Sequence, residues 1–259
     1  MVEFQEKCRV ASIDQLASDV YRLTVHAPLV AAAAYPGQFV MVRVADRYDP
    51  LLRRPFSIHQ QSSDGTLGLL FKTIGKGTDI LAGVAVGDSL DLIGPLGRGF
   101  NLERERPVCI IGGGMGIAPL YFLARQLLLS DRQPERDHVL LGARNREELA
   151  PLVDDFIDLG YPVQTATDDG SMGQHGFIPD LLDAVLPDVS RVYTCGPHPM
   201  MKIIVEKCRQ ADVSCQVSLE THMACGLGAC LGCTVSGADG NYVHVCRQGP
   251  VFYGGEVAW

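Results

Sequence analysis

The sequence has no apolar run long enough to cross a bilayer, and its first residues, Met1 to Lys7, lack the basic and then apolar pattern of a secretory signal. We therefore expect a cytoplasmic protein with no membrane segment. It also has no excess of positive charge, since the formal net charge is −8. This balance predicts no role in nucleic-acid binding. Aromatic residues are scarce at 7%, but 47% of the residues are hydrophobic, which is enough for a substantial core.

The first part of the chain, residues 1–101, contains short apolar runs separated by turn signals such as Pro36-Gly37 and Gly94-Pro95. Short strands with frequent turns are typical of an antiparallel barrel or sandwich. We predict an N-terminal antiparallel β-barrel, interrupted by one short helix near Thr78 to Val84.

Residues 102–217 have a different pattern, in which apolar strands alternate with helical segments. The first strand, Val108–Ile111, is followed by a glycine run and a helix from about Ala118 to Leu129. This alternation predicts a parallel sheet covered on both faces, the usual architecture of a nucleotide-binding α/β domain. The last segment, residues 218–259, is rich in glycine and cysteine and has too few apolar residues for a core of its own. A bound metal centre would supply the missing constraint.

Four of the nine cysteines lie in this last segment, at Cys225, Cys230, Cys233 and Cys246. Their C-x4-C-x2-C…C spacing is that of plant-type ferredoxins, which hold a 2Fe-2S cluster with four thiolates. Zinc also takes four cysteines, but its sites usually carry two C-x2-C pairs and only one is present here. We therefore predict a 2Fe-2S cluster, with a zinc-stabilised interaction protein as the less favoured alternative.

A second candidate site lies on a predicted strand in the N-terminal part. Strand alternation places Arg54 and Phe56 on one face, where a guanidinium could pair with a phosphate and a ring could cover an aromatic cofactor. The turn at Gly75 to Thr78 offers backbone N–H groups and a hydroxyl to a pyrophosphate. Each of these features alone is also compatible with an ordinary turn or strand edge.

A third candidate site lies in the α/β part. Gly112, Gly113, Gly114 and Gly116 follow a strand and precede a helix, where a glycine loop can approach a phosphate, although the spacing departs from G-x-G-x-x-G. Cys195, Gly196 and Pro197 end a later strand, and parallel sheets bind ligands at that edge. Cys195 has no base assigned to it and is interpreted as a packing residue. Arg144 and Arg146 leave the choice between NAD and NADP open.

The motifs Arg54-Pro-Phe-Ser57, Gly77-Thr78, Gly112-Gly-Gly-Met-Gly-Ile-Ala-Pro119 and Cys195-Gly-Pro-His-Pro-Met200 together resemble the ferredoxin reductase-like flavoproteins. This resemblance implies bound FAD and NAD, with the nicotinamide bordered by Cys195, Gly196 and Pro197. The FAD contacts that it implies are at Arg54, Pro55, Phe56, Ser57, Gly77 and Thr78, with the strand residues Phe71, Lys72 and Thr73 beside the flavin.

The C-terminal segment, above all the run from Val245 to Phe252, resembles the electron-transfer subunits of B-type dihydroorotate dehydrogenases. The resemblance implies an FMN-containing catalytic partner subunit, a heterotetramer with two copies of each subunit, and an electron path through 2Fe-2S and FAD to NAD+ in pyrimidine biosynthesis. No orotate site and no catalytic side chain are predicted in this chain. The alternative is a reductase subunit of a hydrogenase or an NAD(P)H transhydrogenase, which would carry the same cofactor motifs.

Overall fold

A computed structural model describes residues 2–102, 107–129 and 133–259. Residues 4–96 form a closed six-stranded antiparallel barrel with the strand order β1-β2-β5-β4-β3-β6. The barrel strands are β1 (Phe4–Ala17), β2 (Val20–His26), β3 (Phe39–Arg43), β4 (Arg54–Gln61), β5 (Thr66–Lys72) and β6 (Ser89–Leu96). Two short helices lie between them, α1 (Pro28–Ala33) and α2 (Lys76–Ala82). The predicted barrel is confirmed.

The second body is a seven-stranded sheet with the order β10-β9-β8-β7-β11-β12-β15. Its strands are β7 (Val108–Gly113), β8 (His138–Ala143), β9 (Val163–Thr167), β10 (Gln174–His175), β11 (Arg191–Cys195), β12 (Ser214–Ser218) and β15 (Val251–Tyr253). The helices are α3 (Ala118–Leu129), α4 (Arg146–Asp158), α5 (Pro179–Val185) and α6 (His198–Gln210). All its strand pairs are parallel except β12 with β15. The predicted parallel sheet with helices is confirmed.

The last segment, residues 218–259, does not pack as a separate module, because its end joins the large sheet. It forms the hairpin β13 (Thr234–Ser236) and β14 (Tyr242–His244) and the single turn α7 (Val245–Gln248), and then returns to the large sheet as β15. Its buried residues Cys233, Val245 and Cys246 share one core with sheet residues and with Met41 and Leu96 of the barrel. A segment with few apolar residues is thus folded by packing on two larger bodies. The domain boundaries at residues 101 and 217 stay predictions.

The barrel and the α/β body are joined by a buried polar cluster. His59 of β4 is 1% exposed, and its Nδ1 lies 2.9 Å from the carbonyl oxygen of Ala118 on α3. Its ring stacks on Tyr121 with 4.8 Å between centroids, and Arg22 of β2 forms an ion pair with Asp155 of α4. Because a buried polar group without a partner is costly, these contacts fix how the two bodies meet.

No helix of the described residues is both long and apolar enough to span a bilayer.

Burial lowers the pKa of His59 to about 4, with Arg22 and Arg125 acting in the same direction and the Ala118 carbonyl opposing them. In the unfolded chain His59 therefore binds a proton near pH 6.5, whereas in the folded chain it binds one only near pH 4. The folded state loses stability as the pH falls between these values. We expect the free energy of unfolding contributed by His59 to fall by about 2 kcal/mol between pH 7 and pH 5.

The measurement is denaturant unfolding of wild type and His59→Gln at both pH values. Burial raises the pKa of Asp155, the acid nearest the ring, and that shift favours the folded state at low pH. The comparison isolates His59 because Asp155 is present in both proteins. An equal loss of stability in the two proteins would show that His59 is not the group responsible.

Candidate functional sites

The four clustered cysteines form two pairs in the folded chain. The Sγ atoms of Cys233 and Cys246 lie 3.2 Å apart, and both residues are 2% exposed. Cys225 and Cys230 form the second pair nearer the surface, where the backbone N–H of Cys230 donates to Cys225 Sγ and Cys230 is exposed. The predicted quartet is therefore brought together by the loop and by α7.

Backbone N–H groups point at these sulfurs. The N–H of Leu227 and that of Cys230 donate to Cys225 Sγ at 3.3 and 3.4 Å, and that of Gly228 donates to Cys246 Sγ at 3.2 Å. Burial and the neighbouring Cys233 thiol raise the pKa of the Cys246 thiol to about 12 despite its donor. At Cys225, partial burial also acts to raise the pKa, but the hydrogen bonds to that sulfur outweigh it and bring the pKa to about 6. Donors placed around sulfur stabilise thiolates, which are the form that binds metal.

The arrangement fits a centre with two metal ions. A tetrahedral zinc site would need four thiolates around a single ion. Two thiol pairs with surrounding N–H donors instead match the ligation of a 2Fe-2S cluster by four cysteines.

Gly226 fixes the position of this loop on the barrel. It has a φ of +72°, and a Cβ built on it would lie 2.5 Å from Cγ of the fully buried Met41 on β3. Only glycine combines that backbone conformation with so close an approach. The cysteine loop therefore rests directly on the barrel wall.

The predicted flavin motifs meet on the barrel surface. A Cβ at Gly77 would lie 2.9 Å from Nε of Arg54, so that the guanidinium stem lies against the start of α2. The Thr78 hydroxyl accepts hydrogen bonds from the N–H groups of Ile74 and Gly75, at 2.9 and 3.2 Å. The same hydroxyl donates to the carbonyl oxygen of Gly75 at 2.8 Å, so it holds the turn in shape. The groups beside it that suit a pyrophosphate are the Arg54 guanidinium and the bare Gly77 backbone.

The aromatic residues of this region point into the barrel. Phe56 and Phe71 are 8% and 3% exposed, and their ring centroids lie 5.7 Å apart. Pro55 and Ser57 alternate with Phe56 and are half-buried on the other face of β4. Thr73 follows β5, and its N–H donates to the carbonyl oxygen of Asp19. Stacking of Phe56 on a flavin stays a prediction.

A cavity of about 570 Å³ lies where the sheet ends face the barrel. Of the predicted residues, Gly113, Gly114, Pro197 and Lys72 line it. Lys72 Nζ lies 2.8 Å from Glu148 Oε1 and 3.0 Å from Asp19 Oδ2. The cavity thus lies at the carboxyl ends of parallel strands, the expected location of a dinucleotide site.

Sequence reasoning missed Glu148, which also pairs with Arg144 at 2.8 Å. The four-residue spacing of Arg144 and Glu148 was a visible signal for that ion pair. The partner Lys72 is distant in the sequence, so no local pattern pointed to it. Arg144 itself lines the cavity, as does Asp168.

The other predicted residues of this site do not line the cavity but pack against the loops that do. A Cβ at Gly112 would lie 2.7 Å from Ile117, and one at Gly116 would lie 2.4 Å from the carbonyl carbon and oxygen of Cys195 and from the nitrogen of Gly196. Cys195 is 1% exposed, and burial raises the pKa of its thiol well above the usual value. It is thus a packing residue with no nucleophilic character.

Three family models match consecutive parts of the chain. They are described as an oxidoreductase FAD-binding domain (residues 7–100), an oxidoreductase NAD-binding domain (residues 110–206) and the iron-sulfur cluster binding domain of dihydroorotate dehydrogenase B (residues 220–258). The order and bounds of these matches agree with the barrel, the α/β sheet and the cysteine segment. FAD, NAD and an iron-sulfur cluster are therefore the cofactors of this fold.

Curated relatives cover nearly the whole chain. The electron transfer subunit of dihydroorotate dehydrogenase B (NAD(+)) from Desulforamulus reducens is 42% identical over 97% of both chains. The subunit of the same name from Caldanaerobacter subterraneus is 38% identical over 99% of both chains. Among solved structures, an NADH-dependent reduced ferredoxin-NADP oxidoreductase matches with a TM-score of 0.88 and 31% identity, covering 98% of this chain and 90% of that one.

We expect Gly226→Ala to impair cluster assembly, because the added methyl group would collide with Met41 in a backbone conformation that only glycine adopts easily. The measurement is iron and sulfide per purified chain, with the visible absorbance of the cluster. We expect less than half of the wild-type content. Gly255→Ala is the matched control, since a Cβ there meets no atom within 4 Å. Full cluster content in Gly226→Ala would contradict the packing argument.

We expect Gly116→Ala to raise the KM for NADH at least tenfold in NADH oxidation with an artificial acceptor. The new Cβ would overlap backbone atoms of Cys195 and Gly196, which cannot move like the end of a side chain. Gly83→Ala serves as the control, because its nearest contact would be an ordinary 3.6 Å. A KM for the Gly116 variant within twofold of wild type would show that the loop does not depend on this approach.

Proposed function

The chain belongs to the family of dihydroorotate dehydrogenase B electron transfer subunits, and we propose that it carries electrons from a separate dihydroorotate-oxidising subunit to NAD+. Its place in metabolism is then pyrimidine biosynthesis. The path runs from an FMN in the partner, through the 2Fe-2S cluster and FAD of this chain, to the nicotinamide. FAD, when bound, supplies the chemistry that links single-electron transfer at a cluster to hydride transfer at NAD.

The observation that carries this proposal is that one barrel contacts both of the other sites. Its strand β3 supports the cysteine loop through Met41 and Gly226, and its strand β5 reaches the dinucleotide cavity through Lys72. A cofactor on the barrel therefore lies between an electron donor and an electron acceptor. This is the order that the proposed path requires.

We assign the FAD pyrophosphate to the cradle of Arg54, Gly77 and Thr78. Arg54 supplies the positive charge, and the bare Gly77 leaves room beside it. Pro55, Ser57 and the backbone of Phe56 would lie along the flavin, with the end of β5, residues 71–73, beside them.

We assign NAD to the cavity at the ends of β7 and β11. Gly113 and Gly114 would approach its phosphates and Pro197 would border its nicotinamide. Gly112, Gly116, Cys195 and Gly196 hold these two loops against each other. Lys72 is kept in place by Glu148 and Asp19, so that it marks the side of the cavity that faces the flavin.

We propose that the catalytic partner docks over the exposed side of the cysteine loop. Cys230 is exposed there, and the neighbouring Leu227 and Leu231 are 41% and 53% exposed. Apolar side chains around a redox centre suit a contact that excludes water during transfer.

The stoichiometry of two copies of each subunit stays a prediction. All nine cysteines are free, which suits the reducing cytoplasm that we propose as the location.

A second candidate is a subunit of a bifurcating transhydrogenase. The specific observation in its favour is the similarity to the NADH-dependent reduced ferredoxin-NADP oxidoreductase, which is described in terms of flavin-based electron bifurcation. The two functions share this chain's cofactors and differ in the catalytic subunit that it binds. Co-purification of the native complex distinguishes them.

The test is NADH formation from dihydroorotate under anoxic conditions by this chain co-expressed with an FMN-containing dihydroorotate dehydrogenase subunit. We expect activity only from the complex. We expect Cys230→Ser to reduce it at least a hundredfold, because one cluster ligand is lost, while direct NADH oxidation with ferricyanide stays within threefold of wild type. Cys8→Ser, a buried barrel cysteine far from the cluster segment in sequence, is the control.

Two results would contradict the proposal. Oxidation of dihydroorotate by this chain alone would refute the division between two subunits. A complex that contains iron, sulfide and both flavins but forms no NADH would favour the transhydrogenase function.

A further inference from the structure

Two neighbouring loops on the barrel expose large apolar side chains. The loop between β3 and β4 carries Tyr48, Leu51 and Leu52, which are 92%, 66% and 48% exposed. The short loop between β5 and α2 carries Ile74, which is 84% exposed. Single exposed apolar residues are ordinary, but several on adjoining loops indicate a surface that is covered when a ligand is bound.

Both loops are attached to the proposed pyrophosphate cradle. Arg54 Nη1 donates to the carbonyl oxygen of Leu52 at 2.8 Å, and the N–H of Ile74 donates to Thr78 Oγ1 at 2.9 Å. An ion pair between Asp49 and Lys76 joins the first loop to α2. The apolar side chains of both loops therefore border the proposed pyrophosphate site, from which the flavin half and the adenosine half of FAD would extend in different directions.

The dinucleotide cavity indicates which half of FAD lies on these loops. The cavity is lined from the barrel by Val20 and Lys72, and its lining among the described residues includes nothing from residues 45–53 or 73–75. The flavin must face that cavity to exchange hydride with a nicotinamide. The adenosine half, on the other side of the pyrophosphate, is the part left to cover the loops.

The chemistry of the loops suits a flat, uncharged aromatic ring. The charges that link the two loops, on Asp49 and Lys76, are paired with each other, and the hydrogen bond from Lys76 keeps the pKa of the Asp49 carboxyl low. Arg47, next to Tyr48 in the chain, adds a positive charge beside the loop, which is compatible with a ligand that also carries phosphates. A tyrosine ring can stack on a nucleobase. Such stacking needs no specific hydrogen bond and does not depend on which base is present. Ile74 offers a second apolar contact.

We propose that these loops form the adenine site of bound FAD, in which Tyr48 stacks on the adenine ring and Ile74 packs against it. The inference rests on the proposed FAD site at Arg54, Gly77 and Thr78. It adds a determinant of selectivity, because a flavin without adenosine, such as FMN, would gain nothing from either side chain.

The test compares the dissociation constants of FAD and FMN for the full-length chain, with its cluster intact and its flavin removed, measured by flavin fluorescence. We expect Tyr48→Ala to weaken FAD roughly tenfold, within the range found when a stacking aromatic is removed, and to leave FMN within twofold. Tyr48→Phe should retain wild-type affinity and Ile74→Ala should show a smaller loss. Tyr242→Ala, at a tyrosine 74% exposed on the cysteine hairpin, is the matched control.

The outcomes separate this inference from the proposed function. Unchanged FAD affinity in Tyr48→Ala, or an equal loss of FAD and FMN, would overturn the adenine site and leave the FAD proposal standing. Failure of the wild-type chain to bind FAD would overturn both. Because the Tyr48 side chain is 92% exposed, its truncation removes no core packing, and an unchanged melting temperature of the flavin-free variant verifies that it is folded.

Discussion

The contact on which the rest of this structure depends is the one between the cysteine loop and the barrel wall. Gly226 approaches Met41 so closely that no side chain fits between them, and Cys233 and Cys246 are buried in the same core as Met41 and Leu96. A segment too poor in apolar residues to fold alone is thereby held against the body that carries the flavin motifs. Cofactors that exchange electrons must be close, and here closeness is built into the packing.

The contact between the barrel and the α/β body is held by charge as well as by packing. Lys72 reaches from the barrel to Glu148 of the α/β body, and Arg22 and Asp155 form a second ion pair between the same two bodies beside the buried His59. Ion pairs shielded from water and supplemented by hydrogen bonds specify orientation more than they add stability. This suits the proposed function, in which the flavin and nicotinamide sites come from different bodies and must meet in one geometry.

The surface has a corresponding division. The buried pair of cysteines faces the barrel, whereas Cys230 and its leucine neighbours face outward. The apolar loops around Tyr48 lie on another part of the barrel, next to Arg54 and Thr78. In the proposed function, electron entry, cofactor retention and hydride transfer would be served by separate groups of residues.

The sequence by itself determined the order of the three parts and the chemistry of each. Strand and helix periods and the spacing of Cys225, Cys230, Cys233 and Cys246 are local patterns, because they depend on residues close together in the chain. The tertiary structure alone decided that residues 251–253 join the large sheet, that Arg54 lies beside Gly77, and that Lys72 pairs with Glu148. These contacts join residues from about twenty to seventy positions apart or more, and no local propensity encodes which distant surface a residue will meet. It was likewise the folded packing that turned Gly226 from one glycine among many into the residue that places the cysteine loop against the barrel.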